Sequence, residues 1–140
     1  MERTLAIVKP NAVAEGHLGS ILDRLQQEKF QVVALKMIRL SKAQAEQFYA
    51  IHSACPFFDS LTDFMSSGPV VAMVLARPDA VATWRRLMGA TDPARAGEGT
   101  LRRLYGADVE KNATHGSDRT ETAAEEIAFF FSKLEICRSI

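Results

Sequence analysis

The chain has 140 residues, 47% of them hydrophobic, which is enough for a core without the disulfide or metal staples that much smaller chains need. Its 17 basic residues balance 17 acidic ones, so the basic surplus of a dedicated nucleic-acid binder is missing. Cys55 and Cys137 have neither metal-ligand nor redox-pair spacing and fit a reducing cytosol, and no apolar run approaches the roughly 20 residues of a membrane span. With no basic-then-apolar leader at its amino terminus, the chain is expected to be a soluble cytoplasmic protein.

Thr4 to Val8 is a short apolar, partly β-branched run, a buried strand stopped at Lys9-Pro10. Gly16 to Glu28 carries Leu18, Ile21, Leu22 and Leu25 at helical spacing, and Phe30 to Leu40 alternates as a strand with Val33, Leu35 and Met37 on one face. Ser41 is a good cap for a second helix holding Ala45, Phe48 and Tyr49. Pro56 opens a short helical piece with Phe57, Leu61 and Phe64, and the two pieces form a hairpin. After the turn Ser67-Gly68-Pro69, the run Val70 to Leu75 reads as a central strand covered on both faces. Asp79 to Met88 is helical with Val81, Trp84, Arg85 and Met88 near one face, so Arg85 emerges beside the core. Gly89 to Gly99 is too long for a tight turn and has the composition of a functional surface loop. A short strand and a last helix follow, in which Ala123, Ile127, Phe130 and Leu134 form a buried stripe. With no repeat or linker, residues 1–140 read as a single domain. The order suggests an α+β, ferredoxin-like βαββαβ sandwich: an antiparallel four-stranded sheet with helices covering one face.

The stretch before the last helix is Asn112-Ala113-Thr114-His115-Gly116-Ser117-Asp118. An imidazole is largely unprotonated near pH 7, so one ring nitrogen can attack a phosphoryl group once neighbours fix its tautomer. Gly116 removes side-chain bulk beside the ring, Ser117 supplies a hydroxyl, and Asp118 can cap the helix while facing a metal-bound phosphate. Glu126 lies beside the apolar stripe, where a carboxylate needs a partner. Taken alone, a histidine in a polar loop is more often an ordinary surface residue.

The whole heptapeptide resembles the signature of the nucleoside diphosphate kinase family, in which a histidine before Gly-Ser-Asp carries the phosphate. The resemblance runs from Glu2 to about Ile136, through Arg3-Thr4-Leu5-Ala6-Ile7-Val8-Lys9-Pro10-Asn11-Ala12-Val13, Pro56-Phe57-Phe58, Ser67-Gly68-Pro69-Val70-Val71, Gly89-Ala90-Thr91-Asp92-Pro93 and Gly99-Thr100-Leu101-Arg102. It implies the ferredoxin-like fold and ping-pong transfer of the γ-phosphoryl group from ATP or another nucleoside triphosphate to a nucleoside diphosphate, with His115 as the nucleophile. It further implies that Glu126, steadied by Ser117, orients the ring nitrogen that does not attack. Lys9 reaches the transferred phosphate and, with Asn112, the ribose hydroxyls. Arg85, Thr91 and Arg102 clamp the phosphates, as arginine's planar fork suits their oxygens. Tyr49 stands near the lysine and histidine, Phe57 and Val109 hold the base without fixed hydrogen bonds, and Asp118 reaches a nucleotide-bound Mg²⁺ through water. The implied partners are nucleoside di- and triphosphates with broad base tolerance, with no dedicated nucleic-acid binding and no membrane. A homo-oligomer built from dimers, a tetramer or a hexamer, is implied as well.

The chain departs from the family pattern in three places: Arg103-Leu104 after the clamp arginine, Arg119 after Gly-Ser-Asp, and Cys55 before Pro56. The first bears on how Arg102 is oriented, the second adds charge near the phosphates, and the third bears on a contact between subunits or elements. Arg86, Arg95, Arg103 and Arg119 read as solvated, and His17 and His52 have no assigned partner. Two other classes compete: a regulatory nucleotide-binding module without turnover, and a hydrolase in which His115 is a general base for water. The intact Lys9, His115 and Glu126 argue against the first, and retention of label on the protein separates the second.

Overall fold

A computed structural model describes residues 1–138. Its elements are β1 (Glu2–Val8), α1 (Pro10–Ala14), α2 (Leu18–Gln27), β2 (Gln31–Ile38), α3 (Lys42–Phe48), α4 (Phe58–Met65), β3 (Val70–Arg77), α5 (Ala80–Met88), α6 (Leu101–Tyr105), β4 (Thr114–Gly116) and α7 (Thr120–Phe130). The strands form one antiparallel sheet in the order β2-β3-β1-β4, the α+β ferredoxin-like arrangement that the sequence suggests.

Alternation along the two central strands builds two cores. Leu5 and Ile7 of β1 join Ala72 and Val74 of β3 under α3, α4 and α7, with Tyr49, Phe64 and Phe130 buried there. Ala6 and Val8 join Val71, Met73 and Leu75 on the opposite face, under Ile21 and Leu25 of α2 and Trp84 and Met88 of α5. The helical cover therefore extends to both faces, and β3, buried along nearly its whole length, has the two-sided burial that its continuous apolar run predicts.

Local details differ from the sequence expectation for physical reasons. Pro10 stops β1 and also begins α1, because its missing N–H and fixed φ suit a first helical position. In β2 a bulge between Val32 and Ala34 shifts the pairing by one residue, so Val33 and Ala34 are both buried while Leu35 and Met37 are 46% and 54% exposed instead of sharing Val33's face. Ser41 caps α3 as expected, in a reciprocal box with Gln44. The chain leaves helical geometry at Phe131, and Ser132 caps a separate one-turn 3₁₀ helix, so Leu134 is 96% exposed and does not extend the stripe of Ala123 and Phe130. Asp118 is not the cap of α7. Arg119 holds that position, and Asp118 Oδ1 instead accepts from Thr122 Oγ1 at 2.6 Å.

β4 is short, and its position is fixed from both sides. Ile7 pairs with His115, placing the histidine against the middle of the sheet. From the α5 side, fully buried Trp84 donates from Nε1 to the His115 carbonyl at 3.2 Å. Gly116 is what allows this approach: a methyl group there would lie 2.5 Å from Trp84 Cδ1 and 2.6 Å from Met88 Cε. Gly116→Ala must therefore push against a packed indole, and we expect a loss of about 1–3 kcal/mol, the usual cost of overpacking. Urea unfolding checks this as a lower midpoint with an unchanged slope; an unchanged midpoint would show that Trp84 yields freely.

Candidate active site

The backbone leading into β4 is held in an uncommon conformation. Ala113 has φ +76°, and Thr114 N donates to Asn112 O at 2.9 Å across it, which is a γ-turn of the rare positive-φ kind. The turn is over-determined by Lys9 N, which donates to Ala113 O at 2.8 Å. It thus ties the end of β1 to the start of β4 and brings Lys9 beside Asn112.

A chain of hydrogen bonds then fixes the His115 ring. Where β4 ends, Ser117 takes over its pairing with β1. Its N donates to Leu5 O at 3.2 Å, and Leu5 N donates to its buried Oγ at 3.3 Å. With that lone pair used, Ser117 Oγ donates to Glu126 Oε1 at 2.8 Å, and His115 Nε2 lies 2.9 Å from the same oxygen. A carboxylate only accepts, so Nε2 carries the proton and donates, and Nδ1 keeps a lone pair. Two aromatic rings bracket the imidazole edge-on, Phe48 with centroids 5.2 Å apart and Tyr49 at 6.0 Å.

His115 lines a cavity of about 610 Å³ together with Lys9, Tyr49, Phe57, Arg85, Thr91, Arg102, Val109 and Asn112. Nine of the residues singled out in the sequence thus converge, although they come from segments spread between β1 and β4. Glu126 and Ser117 lie behind the histidine. Asp118 is not at the cavity; it borders a neighbouring hollow with Arg119, and Arg85 lines both. His52, Leu61 and Glu110 also line the cavity and carried no assignment. Helical spacing gave a signal for two of them, since His52 follows Tyr49 by three residues and Leu61 follows Phe57 by four, and Glu110 adjoins Val109.

Burial governs the electrostatics. Lys9 is only 6% exposed, its Nζ donates to Glu110 O at 3.4 Å, and its pKa is pushed down to about 7, first by burial and then by Arg102, against the pull of Glu110 and Asp108. Arg102 is lowered to about 10 by burial and by Arg85. Its guanidinium donates to Gly89 O and Thr114 O, both at 3.0 Å, so it is oriented by backbone although Leu104, one of the departures, stands exposed two residues on. Burial and then Glu126 raise the Tyr49 phenol. Asn112 Nδ2 donates to Thr91 O and Val109 O at 3.0 and 3.1 Å, which leaves its Oδ1 as an acceptor. Among the described residues, buried Asn112 Oδ1, Tyr49 Oη and Arg102 Nε make no hydrogen bond, and all three belong to cavity-lining side chains. Three cations against one acid, with unpaired acceptors and donors, suit a polyanion that also carries hydroxyls.

The fold and this cavity have close counterparts. The family model described as nucleoside diphosphate kinase matches residues 2–136. The nucleoside diphosphate kinase of Desulfovibrio desulfuricans is 58% identical over 136 residues, covering 97% of this chain and 98% of that protein. That of Sorangium cellulosum is 53% identical over 139 residues, covering 99% and 96%. Among solved structures, the Aquifex aeolicus nucleoside diphosphate kinase superposes with a TM-score of 0.94 at 50% identity, covering 96% of this chain and 98% of that one. The halophilic enzyme of Halobacterium salinarum, solved in complex with CDP, superposes at 0.96 with 42% identity, covering 99% and 93%. Such likenesses define an enzyme of the phosphotransferase class. The chain belongs to the nucleoside diphosphate kinase family.

The depressed Lys9 pKa has a measurable result. Above about pH 7 the ligand-free amine loses its proton; a phosphate bound beside it would favour the charged form, so ADP binding is expected to take up a proton there and to weaken as pH rises from 7 to 9. Calorimetry with ADP as the probe at pH 8 should give heats that depend on the buffer's ionisation enthalpy. Lys9→Met should remove most of that dependence, and equal heats in all buffers for the unsubstituted protein would contradict the assignment.

Proposed function

We propose that this protein is a nucleoside diphosphate kinase that works by a phosphohistidine at His115. The observation that supports this best is the Ser117–Glu126–His115 chain, because it commits Nε2 to a carboxylate and leaves the Nδ1 lone pair on a ring that lines a cationic cavity. In the first half-reaction Nδ1 attacks the γ-phosphorus of ATP or another triphosphate, the bond to the β,γ-bridging oxygen breaks, and the diphosphate leaves with that electron pair. A second diphosphate enters the same cavity, its terminal oxygen attacks the phosphohistidine, and the P–N bond breaks to restore His115. No proton need move in either step. Catalysis is then mostly positioning and charge stabilisation.

Each side chain has a part in this reading. Lys9, Arg85, Thr91 and Arg102 hold the phosphates, Tyr49 lies against the nucleophile, and Asn112 Oδ1 accepts from a ribose hydroxyl that Lys9 also contacts. Phe57, 48% exposed, stacks on the base opposite Val109. Mg²⁺ arrives with the nucleotide phosphates as part of the substrate. No group of three or more His, Cys, Asp or Glu suited to a resident ion occurs among the described residues. In this reading Asp118, which borders the adjoining hollow that Arg85 also lines, meets that substrate through water. The reaction takes place within a single domain, in the cytoplasm. No described helix is long and apolar enough to cross a membrane. We further propose assembly into a homo-oligomer built from dimers, a tetramer or a hexamer; the exposed Leu35 and Met37 on edge strand β2 are in keeping with pairing there.

Incubated with labelled ATP and Mg²⁺, the protein should hold phosphate that survives alkali, is lost in acid, and is discharged by added diphosphate of any base. His115→Ala should hold none and should lose more than about a hundredfold in kcat, the lower bound of what general acid–base help alone supplies. Release of inorganic phosphate without retained label would instead make the protein a hydrolase, and binding without either would make it a regulatory module.

A further inference from the structure

A cavity suited to polyanions is lined by one acid, Glu110, and that acid is anchored. Its backbone is set by Asp108, whose Oδ1 accepts from Glu110 N at 3.0 Å and from Lys111 N at 2.7 Å, and by Lys9 Nζ, which donates to its carbonyl. Its carboxylate is set by Ser60, whose Oγ donates to Oε1 at 3.1 Å. Phe57, Ser60 and Leu61 stand at i, i+3 and i+4 where α4 begins, so they share one face, and Phe57 and Leu61 both line the cavity. Ser60 therefore ties the Glu110 carboxylate to the helix face that carries Phe57, while Val109, which also lines the cavity, directly precedes Glu110 in the chain. Oε2 makes no hydrogen bond among the described residues.

A carboxylate repels phosphates, and what it recognises is a pair of adjacent N–H groups. Guanine presents N1–H and the N2 amine side by side; adenine and cytosine set an acceptor beside their amine, and uracil flanks its one N–H with two carbonyls. We propose that Glu110 is a specificity-determining residue that accepts from this edge of guanine, so that every base is tolerated but guanine nucleotides are favoured. This rests on the reading of the cavity as a nucleotide site. Because the cavity is open and Oε1 is shared with Ser60, the gain is about five- to twentyfold, at the low end of a hydrogen bond to a charged group and far below what a closed polar pocket achieves.

Inosine keeps N1–H and lacks only the N2 amine, so the GDP/IDP ratio isolates the amine half of the contact. The ratio should be measured twice on each protein, as kcat/KM for discharge of the phosphoenzyme and as equilibrium affinity by calorimetry. The dGDP/dIDP pair is measured alongside. The unsubstituted protein should favour GDP about five- to twentyfold in both measurements, with the same ratio in the deoxy pair. Glu110→Ala and the isosteric Glu110→Gln should bring the ratio to within about twofold of one, and Ser60→Ala, which frees the carboxylate, should fall between. A ratio near one in the unsubstituted protein, or a Glu110→Ala loss equal for all bases and therefore a ribose or structural effect, would overturn the proposal while labelling still upheld the kinase reaction. Selective GDP binding that depends on Glu110 in a protein that takes no label would do the reverse.

Discussion

The site depends on one oxygen, Glu126 Oε1, which receives hydrogen bonds from Ser117 and from the His115 ring at once. The geometry behind that oxygen is not local to the loop. Ser117 is held by Leu5 of the central strand, His115 is paired with Ile7, and the His115 carbonyl is held by Trp84 from the other helical layer. The direction of the imidazole is therefore set by both cores of the protein, through the backbone of β1 and the indole of α5. A flexible loop histidine would sample both tautomers and many orientations, at a cost in reactive geometry that preorganisation removes.

The same economy explains the cavity's charge. Lys9, Arg85 and Arg102 are close enough that each raises the cost of charge on a neighbour, and burial adds to this for Lys9 and Arg102. Cations held under mutual repulsion gain more from a polyphosphate than solvated ones do, because the ligand relieves both desolvation and like-charge terms. Tyr49, raised by burial and by Glu126, stays a neutral phenol beside His115.

Much of this was legible in the sequence, for reasons that can be named. Strands β1 and β3 announce themselves as apolar runs because both faces are buried, and the heptapeptide around His115 gathers its chemistry within seven residues. That Glu126 needs a partner follows from its place beside an apolar stripe; that the partner is His115 was implied by the family resemblance, and the structure brings the two to 2.9 Å. What the sequence did not disclose depends on tertiary context. The bulge in β2 reverses the exposure of Leu35 and Met37 without altering their alternation, Pro10 reads equally as a strand stop or a helix start, and the stripe through Phe130 gives no notice that the helix ends before Leu134. The positive φ of Ala113 has no signal at all, since alanine is an ordinary residue forced into that conformation by the strand ends it joins. Glu110 has no local signal, because the Ser60 that anchors it is fifty residues away in the chain.

The central claim is that the scaffold commits Nε2 to Glu126 and leaves Nδ1 to react. Nuclear magnetic resonance of the phosphorylated, histidine-¹⁵N-labelled protein tests it directly, because phosphorus coupling identifies the substituted ring nitrogen. The account predicts a single phosphohistidine coupled at Nδ1, with Nε2 still protonated and hydrogen-bonded. Coupling at Nε2 would contradict it, since that bond requires the Glu126 contact to be absent when the enzyme reacts.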